Sequence, residues 1–279
     1  MTLRKSIYHA WRRWTLDHFP QLILRPGRNP KDLNEKIRWL MCYGDTSEWT
    51  RLSDKLLVRD YVKEKGLGEL LVPLLGTWDK AGDIPFDTLP EKFVLKCNHD
   101  SGSAHVIDKN SDREKVCREL DLALSQKYGY RHGEIHYNGI NPLIMAESYL
   151  DGGEGLPADY KVWCFEGKPF CIWACYGRTQ DHVYVNTYSL DWEPIPGASV
   201  FTDHYRDGGW ALPKPETLPQ MLQAAALLSD GFPEVRVDFY EVNGHLYFGE
   251  MTFASLMGRM DYFSEDFLLE MGNCIRNFS

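Results

Sequence analysis

The sequence lacks any hydrophobic run long enough to cross a membrane, because charged residues interrupt its apolar stretches. Its first segment, MTLRKSIYHAWRRWTLDHF, also lacks the apolar centre of a secretory signal. The seven cysteines are odd in number, and Cys171 and Cys175 do not have the spacing of a common zinc site. A cytoplasmic protein with free thiols is therefore expected.

Positive charge is in deficit: 31 Lys and Arg residues stand against 40 Asp and Glu residues, a formal net charge of −9. General nucleic-acid binding needs basic surface to neutralise phosphates, so no nucleic-acid partner is expected. The chain also lacks a Walker-type glycine-lysine loop and the Asp-x-Asp metal motif of nucleotide-sugar enzymes.

The chain does contain an alternation of helical and strand-like segments. Its 279 residues are 43% hydrophobic, enough for one large domain or two lobes. Apolar spacing predicts helices at about 33–41, 55–66 and 113–127 and in LPQMLQAAALLSDGF. Strands are predicted in LLVPLLGTW, KFVLKCN and NPLIMAESYL, and hairpins around 166–167 and 243–244. The pattern predicts the α/β (α+β) class.

The N-terminal segment has two interpretations. It intersperses basic residues with aromatic ones, as a helix at a membrane surface does: Arg4, Lys5, Arg12 and Arg13 with Trp11, Trp14 and Phe19. An ordinary amphipathic helix packed on the body has the same pattern.

The most informative segment is EVRVDFYEVNGHLYFGEMTF, at 234–253, which predicts two strands joined by a turn. Strand side chains alternate between faces, so the turn decides whether Asp238 and Glu250 point the same way. A two-residue turn with a regular ladder separates them. A three-residue loop at 242–244, with Gly244 at positive φ, pairs Arg236 with Glu250 and is expected here. The opposite, packing face then carries Val237, Phe239, Tyr247 and Met251.

Two carboxylates beside an arginine form an all-oxygen site suited to Mg²⁺ and a polyanion such as ATP. A solvated hairpin with charged pairs is the alternative. As exposed acids, Asp238 and Glu250 are expected to contribute little to stability.

A phosphate site is predicted after the strand KFVLKCN. Lys96 ends this strand, and the loop at Ser101, Gly102 and Ser103 can turn backbone N–H groups toward phosphates. Lys55 lies at the predicted start of a helix, where the helix dipole already favours an anion. The alternative for both lysines is an ordinary solvated position.

Three further polar residues lie in or beside predicted strands. Glu147 needs a hydrogen-bond donor if it is buried, and the amino group of adenine would serve; a surface acid is the alternative. Asp159 and Lys161 share a face, as alternate strand residues must, and pair with each other or with a ligand.

These segments resemble, in order and spacing, the TupA-like ATP-grasp proteins of bacterial surface-polysaccharide loci. The resemblance rests on LSDKLLVRDYVKEKG, VPLLGTWD, FVLKCNHDSG, MAESYLDG, DYKVWCFEGKP and RVDFYEVNGHLYFGEMTF. It implies an ATP-grasp fold, in which two α+β lobes clasp ATP. We expect a short helical segment at 1–52, a small lobe with the lysines and phosphate loop at 53–150, and a large lobe with the acidic hairpin at 151–279.

The resemblance also assigns residues to ATP. Lys55 and Lys96 match the two nucleotide-binding lysines, and the loop at 101–103 matches the phosphate lid. Residues from Glu147 through Tyr149 to Leu150 match the hinge that holds adenine, and Asp159, or else Glu154, matches the acid on the ribose. Lys161 is also assigned to nucleotide binding, because it shares the face of Asp159.

The metal ligands are assigned in the same way. Asp238 and Glu250 match the Mg²⁺ ligands, and Arg236 matches the arginine that stabilises the transferring phosphate or the acyl intermediate. Thr252 stands where most ATP-grasp enzymes have asparagine and offers one hydroxyl oxygen, a weaker ligand than an amide carbonyl. The following loop, ASLMGRM, lacks the usual Pro-Gly, so acceptor recognition is unassigned.

The implied reaction is an ADP-forming ligation. ATP converts a carboxylate to an acyl phosphate, and an amine displaces phosphate to give an amide. The family implies a uronic acid or other carboxylate-bearing sugar or glycan, an amino acid or small amine, and a peripheral contact with membrane-associated polysaccharide machinery. A glycosyltransferase and a non-catalytic nucleotide- or glycan-binding module on the same fold are the alternatives.

Overall fold

A computed structural model describes residues 27, 29–153, 156–179 and 181–276. The two interpretations of the N-terminal segment, and the alternative ribose ligand Glu154, concern residues outside these ranges. The helices are α1 (Leu33–Tyr43), α2 (Trp49–Ser53), α3 (Val58–Glu64), α4 (Arg113–Ser125), α5 (Tyr128–His132), α6 (Leu218–Ser229) and α7 (Glu265–Asn273). Short 3₁₀ turns lie at Gly68–Leu70, Ala81–Asp83, Ile135–Gly139 and Ser255–Met257.

The strands are β1 (Leu74–Trp78), β2 (Phe93–Cys97), β3 (His105–Ile107), β4 (Ile144–Ser148), β5 (Asp159–Phe165), β6 (Lys168–Tyr176), β7 (Val183–Tyr188), β8 (Tyr205–Asp207), β9 (Glu234–Val242) and β10 (His245–Thr252). They form a four-stranded sheet in the order β1-β4-β2-β3 and a six-stranded sheet in the order β10-β9-β5-β6-β7-β8. The pairings are antiparallel except for β7 with β8, which is parallel. The α+β class is confirmed.

Side-chain caps explain where several helices begin. The Asp32 carboxylate accepts a hydrogen bond from the Glu35 N–H at 2.7 Å before α1, and Asp112 accepts one from the Lys115 N–H at 3.0 Å before α4. Such caps satisfy backbone donors that the first helical turn leaves unpaired. The helix predicted from Lys55 begins later, at Val58, because the Asp54 carboxylate accepts from the Leu56 N–H and holds a turn there.

Two hydrophobic cores support the two sheets. The smaller core joins buried residues of β2 and β4 to α4, among them Phe93, Leu95 and Leu120. The larger core lies on the six-stranded sheet and includes residues of α1, α2 and α3 as well as α6 and α7. Residues 33–64 therefore pack with the larger core, although the proposed lobe boundaries at 52/53 and 150/151 stay a prediction.

The hairpin of β9 and β10 closes differently from the expectation. His245 pairs with Val242, so the turn contains only Asn243 and Gly244, both at positive φ (53° and 71°). This is the backbone that two-residue hairpin turns require. The predicted three-residue loop is wrong, although Gly244 at positive φ is confirmed.

A bulge at Gly249 restores the face that the loop was expected to set. Phe248 pairs with Phe239, and Glu250 pairs with Asp238, so Gly249 is the extra residue in the ladder. Glu250 and Thr252 therefore lie opposite Asp238 and Arg236. Phe248 takes the place predicted for Tyr247, which pairs with Tyr240 instead.

Glu234, at the start of β9, is a buried acid whose titration makes the stability of the fold depend on pH. It is 1% exposed, and neither carboxylate oxygen has a hydrogen-bond partner among the described residues. Burial raises the pKa of Glu234 to about 8. Because the folded protein holds this proton more tightly than the unfolded chain, its contribution is fully present below about pH 4.5 and is lost as pH rises toward 8.

Glu234→Gln should therefore flatten the fall in unfolding free energy between pH 5 and pH 9, by on the order of a few kcal/mol. Urea unfolding of both proteins at the two pH values measures the difference, and other titrating groups cancel in the comparison. An identical pH dependence in wild type and variant would contradict the prediction.

Among the described residues, no helix combines the length and the apolar composition needed to cross a bilayer.

Candidate functional site

A cleft of about 600 Å³ is lined by residues of both sheets. Its walls include every predicted site residue except Asp238: Lys55, Lys96, Ser101, Gly102, Ser103, Glu147, Tyr149, Leu150, Asp159, Lys161, Arg236, Glu250 and Thr252. These residues come from segments nearly two hundred positions apart in sequence. The sequence therefore predicted a set that the fold brings together, while the role of each residue stays a prediction.

Lys96 and Glu147 form an ion pair between neighbouring strands of the four-stranded sheet. The Lys96 Nζ lies 2.6 Å from one Glu147 oxygen, and the Arg59 Nη1 donates to the other at 3.0 Å. Glu147 is buried, so two cations supply the donors that its carboxylate needs. The alternative of a surface acid is therefore wrong, and the donors that Glu147 needs come from the protein itself, while its contact with adenine stays a prediction.

The loop between β2 and β3 is anchored at its base. The Asn98 side chain donates to the Asp54 carboxylate at 2.9 Å and to the Asn141 carbonyl at 3.1 Å. Further along, the Ser103 hydroxyl donates to Asp100 at 2.6 Å and accepts from the Cys97 N–H at 2.9 Å. Gly102, at φ 104° with no atom near its missing side chain, leaves the tip of the loop open to the cleft.

Lys55 reaches the same loop, since its ammonium donates to the Asp100 carbonyl. Burial lowers the pKa of Lys55, while Glu250 opposes this effect. The lysine lies in the turn before α3, three residues ahead of the helix, so its position in the cleft depends on contact with the loop rather than on the helix dipole.

A chain of alternating charges crosses the floor of the cleft. Lys161 Nζ lies 2.5 Å from Asp159 and 2.5 Å from Asp238 Oδ2. Arg236 holds Asp238 with two hydrogen bonds of 2.7 Å, one to each oxygen. The predicted shared face of Asp159 and Lys161 is confirmed by their ion pair. The four side chains of this charge network are 1% to 15% exposed. They are therefore desolvated, and each charge is stabilised by its oppositely charged neighbours.

The protonation states follow from this arrangement. Burial alone would raise the pKa of Asp238, but Arg236 and Lys161 outweigh it and hold that pKa below its ordinary value. Burial raises the pKa of Asp159, with Lys161 as the main opposing influence. Burial would lower the pKa of Lys161, yet Asp159 and Asp238 raise it overall, so Lys161 is charged.

Asp238 is therefore not the exposed acid that was expected. It is 1% exposed, and both of its oxygens accept from cations. The expectation that Asp238 contributes little to stability rested on its exposure, and that premise is wrong. Its removal would leave Arg236 and Lys161 without their partner. Glu250 is different: its side chain is 34% exposed and lies 3.5 Å from Arg236.

Glu250 and Thr252 offer oxygen atoms to a metal. The Thr252 hydroxyl donates to Glu250 Oε1 at 3.4 Å and accepts from Arg236 Nη2 at 3.1 Å. Oxygen ligands of this kind suit Mg²⁺, which retains several waters and uses few protein ligands. Within the described ranges, no group of three or more His, Cys, Asp and Glu side chains could hold a metal. Glu250 and Thr252 carry oxygens of the kind that Mg²⁺ uses, whereas both oxygens of Asp238, the other predicted ligand, accept hydrogen bonds from Arg236 and Lys161. The metal role of all three residues stays a prediction.

The residues after β4 provide an apolar part of the cleft. Tyr149 and Leu150 follow the strand and line the cleft with Val72 and Val94. The Lys92 ammonium lies 3.7 Å from the centre of the Tyr149 ring, which fixes that side chain. These residues form an apolar lining beside the charged part of the cleft.

Several cleft residues were not predicted from the sequence. Arg59, Arg178, Tyr128, Glu134 and Tyr137 line the cleft or hold residues that do. Arg59 lies four residues after Lys55, a spacing that places both on one helical face, but α3 does not begin until Val58. Glu134 and the two tyrosines lie between predicted elements, in a stretch without a pattern typical of a helix or a strand.

Comparisons with known proteins decide the family. The family model described as TupA-like ATPgrasp matches residues 35–276. The chain belongs to the TupA-like ATP-grasp family. The resemblance drawn from the sequence motifs is confirmed, and the α+β fold is the ATP-grasp fold. Among curated proteins, none matches this chain.

Solved structures similar to this TupA-like protein include a D-alanine–D-alanine ligase from Bacillus anthracis complexed with ATP, at 15% identity and a TM-score of 0.47. That match covers 81% of this chain and 66% of the ligase. An L-amino acid ligase from Bacillus licheniformis matches at 16% identity and a TM-score of 0.48, over 86% of this chain and 53% of that one. The chain thus spans less than two thirds of the length of either structure.

Proposed function

We propose that this TupA-like protein is an ATP-dependent, ADP-forming carboxylate–amine ligase. The observation that carries the proposal is the convergence of Lys55, Lys96, Lys161, Arg178 and Arg236 on one cleft. Such a set of cations offsets the charge of a triphosphate and of the phosphoryl group in transfer. In this role Arg236 and Lys96 act on the reacting phosphate, and the loop at 101–103 covers it.

The nucleotide would extend from the apolar lining at Tyr149 and Leu150 toward these cations. Asp159 supports this orientation, because its Oδ1 is buried without a partner among the described residues while its Oδ2 binds Lys161. An unpaired acceptor at the edge of a cleft suits a donor such as a ribose hydroxyl. Mg²⁺, held by Glu250 and Thr252, would supply charge neutralisation at the phosphates.

A carboxylate-bearing sugar or glycan is the proposed first substrate. Arg178 is exposed at the cleft and carries a planar fork of donors that matches a carboxylate. Tyr205 lies nearby, in ring contact with Trp173 and Tyr262, so aromatic faces border the same region. A uronic acid combines a carboxylate with a ring face that packs on such residues. An amino acid or small amine is the proposed second substrate.

The cellular setting follows from these substrates. Assembly of a surface polysaccharide takes place at the inner face of the membrane, so a cytoplasmic protein with peripheral contact to that machinery is proposed.

Nucleotide release tests the reaction. The purified protein should release ADP from ATP and Mg²⁺ only when a uronic acid and an amine are both present, and mass spectrometry should detect the amide. UDP or GDP released from a sugar nucleotide would favour a glycosyltransferase, and binding without any nucleotide release would favour a non-catalytic module. Either result would replace the ligase proposal.

ATP binding by a Lys96 variant tests the nucleotide site. Lys96→Ala removes a charge-assisted contact of about 1.5 to 3 kcal/mol, so ATP affinity should fall roughly ten- to a hundredfold in calorimetric titration. Lys109→Ala, which changes an exposed lysine on the same lobe, is the matched control. Full-strength ATP binding by Lys96→Ala would remove Lys96 from the site.

A further inference from the structure

Glu134 is a buried carboxylate on the cleft that the reaction outlined above does not use. It is 9% exposed and lines the cleft together with Tyr128, Tyr137 and Glu250. No hydrogen bond or ion pair of its side chain occurs within the part of the chain that the structure describes, and only burial and more distant charges act on it. A desolvated carboxylate without a donor is costly, which points to a partner that arrives from outside.

The segment that carries Glu134 is rigidly placed. Gly129 and Gly133 pack so closely that an added side chain would lie 2.6 Å from the Glu134 carbonyl or collide with the Met257 sulfur. The Thr50 hydroxyl also donates to the His136 carbonyl at 2.9 Å, which ties the segment to α2. Glu134 is therefore held at the cleft wall by its surroundings.

The nearest cations of the protein are engaged elsewhere. Arg236 donates to Asp238, Glu250 and Thr252. Arg259, the other arginine whose charge acts on Glu134, directs its Nη2 to the Met257 sulfur at 3.4 Å. Burial raises the pKa of Glu134 to about 7, with Arg236 lowering and Glu250 raising it. Neither arginine neutralises Glu134 by direct contact.

Two tyrosines line the cleft together with this carboxylate. Tyr128 and Tyr137 lie on either side of Glu134 in sequence, and their ring centroids are 5.1 Å apart in an edge arrangement. A carboxylate beside tyrosine rings is a combination that binds an ammonium group, by an ion pair and by cation–π attraction. A carboxylate substrate would be repelled at this position by Glu134 and Glu250.

We propose that Glu134, with Tyr128 and Tyr137, binds the protonated amine of the second substrate. This inference rests on the ligase function proposed above and assigns the amine to one wall of the cleft. It also separates the two substrates, with the carboxylate on the side of Arg178.

Direct binding tests the proposal with a pair of simple probes, n-butylammonium and its uncharged counterpart 1-butanol. Saturation-transfer NMR should show saturable binding of butylammonium to the wild type and a loss of at least about tenfold in Glu134→Gln. Binding of 1-butanol should be the same in both proteins. Glu114→Gln, an exposed acid on α4, is the matched control and should behave as wild type.

Equal butylammonium binding by wild type and Glu134→Gln would overturn the proposal, as would no saturable binding to the wild type. Circular dichroism melting shows whether the variant folds. If it does not, Glu134→Asp keeps the charge but withdraws it by one methylene, and it should weaken butylammonium binding. Unchanged binding by that variant would also overturn the proposal.

Activity separates this proposal from the ligase function. Hydroxylamine is uncharged near pH 7.5 and traps an activated carboxylate without an ammonium site. Glu134→Gln should form hydroxamate from a uronic acid at close to the wild-type rate, while amide formation with ethanolamine falls at least about tenfold. Equal loss of both products would overturn the amine site. Absence of ADP in the wild type would reject the ligase function, and the butylammonium titration would still decide the role of Glu134.

Discussion

Asp238→Ala is expected to lower the free energy of unfolding by about 3 to 5 kcal/mol, because it leaves Arg236 and Lys161 buried without their shared partner. Activity should be lost as well, since both cations would shift from their places in the cleft. Urea unfolding and ADP release measure the two effects on the same preparation.

Glu250→Ala is the matched comparison for that variant. Its side chain is 34% exposed and its contact with Arg236 is 3.5 Å long, so stability should change by no more than about 1 kcal/mol. ADP formation should nevertheless fall at least about a hundredfold if Glu250 holds Mg²⁺. Equal stability losses in the two variants would show that the buried pairing of Asp238 is not what distinguishes them.

Arg236→Lys should reduce ADP formation by about 10² to 10³, although it conserves the charge. A lysine cannot reproduce the two parallel hydrogen bonds to Asp238 while also donating to Thr252. Arg113→Lys is the control, because it changes a surface arginine that lies 3.4 Å from Asp87 and should leave both activity and stability unchanged.

Steady-state ADP release by both variants measures the effect, and ATP titration separates binding from turnover. Wild-type turnover in Arg236→Lys would show that charge alone suffices at this position. The assignment of Arg236 to the transferring phosphate would then fail.

The hairpin illustrates how far the sequence predicts the site. Alternation placed Arg236 and Asp238 on one face, and the fold agrees. Glu250 also lies on that face, but not through the expected three-residue loop. A two-residue turn and a bulge at Gly249 place it there. A glycine inside a strand was the available signal. Its position fits the bulge, since an added side chain would lie 3.0 Å from the Asp238 carbonyl oxygen.

Burial at the site could not be predicted in the same way. Whether Asp238 faces solvent depends on Lys161 of the neighbouring strand and on Arg236 folding back over it, which are contacts that no local pattern encodes. Glu147 is a similar case, because Arg59 comes from a helix 88 positions away. The sequence predicted which residues gather, and the fold determines which of them remain open to a ligand.

The ammonium of Lys161 lies between two carboxylates in different surroundings: Asp159 lines the cleft at the proposed ribose position, and Asp238 is buried against Arg236. A ligand that draws Lys161 away from one acid changes the charge felt by the other. If Asp159 binds the ribose as proposed, occupancy at the sugar of the nucleotide and affinity for the reacting groups would be thermodynamically linked, with the same coupling free energy in both directions. Binding would then depend on the ribose as well as on the phosphates.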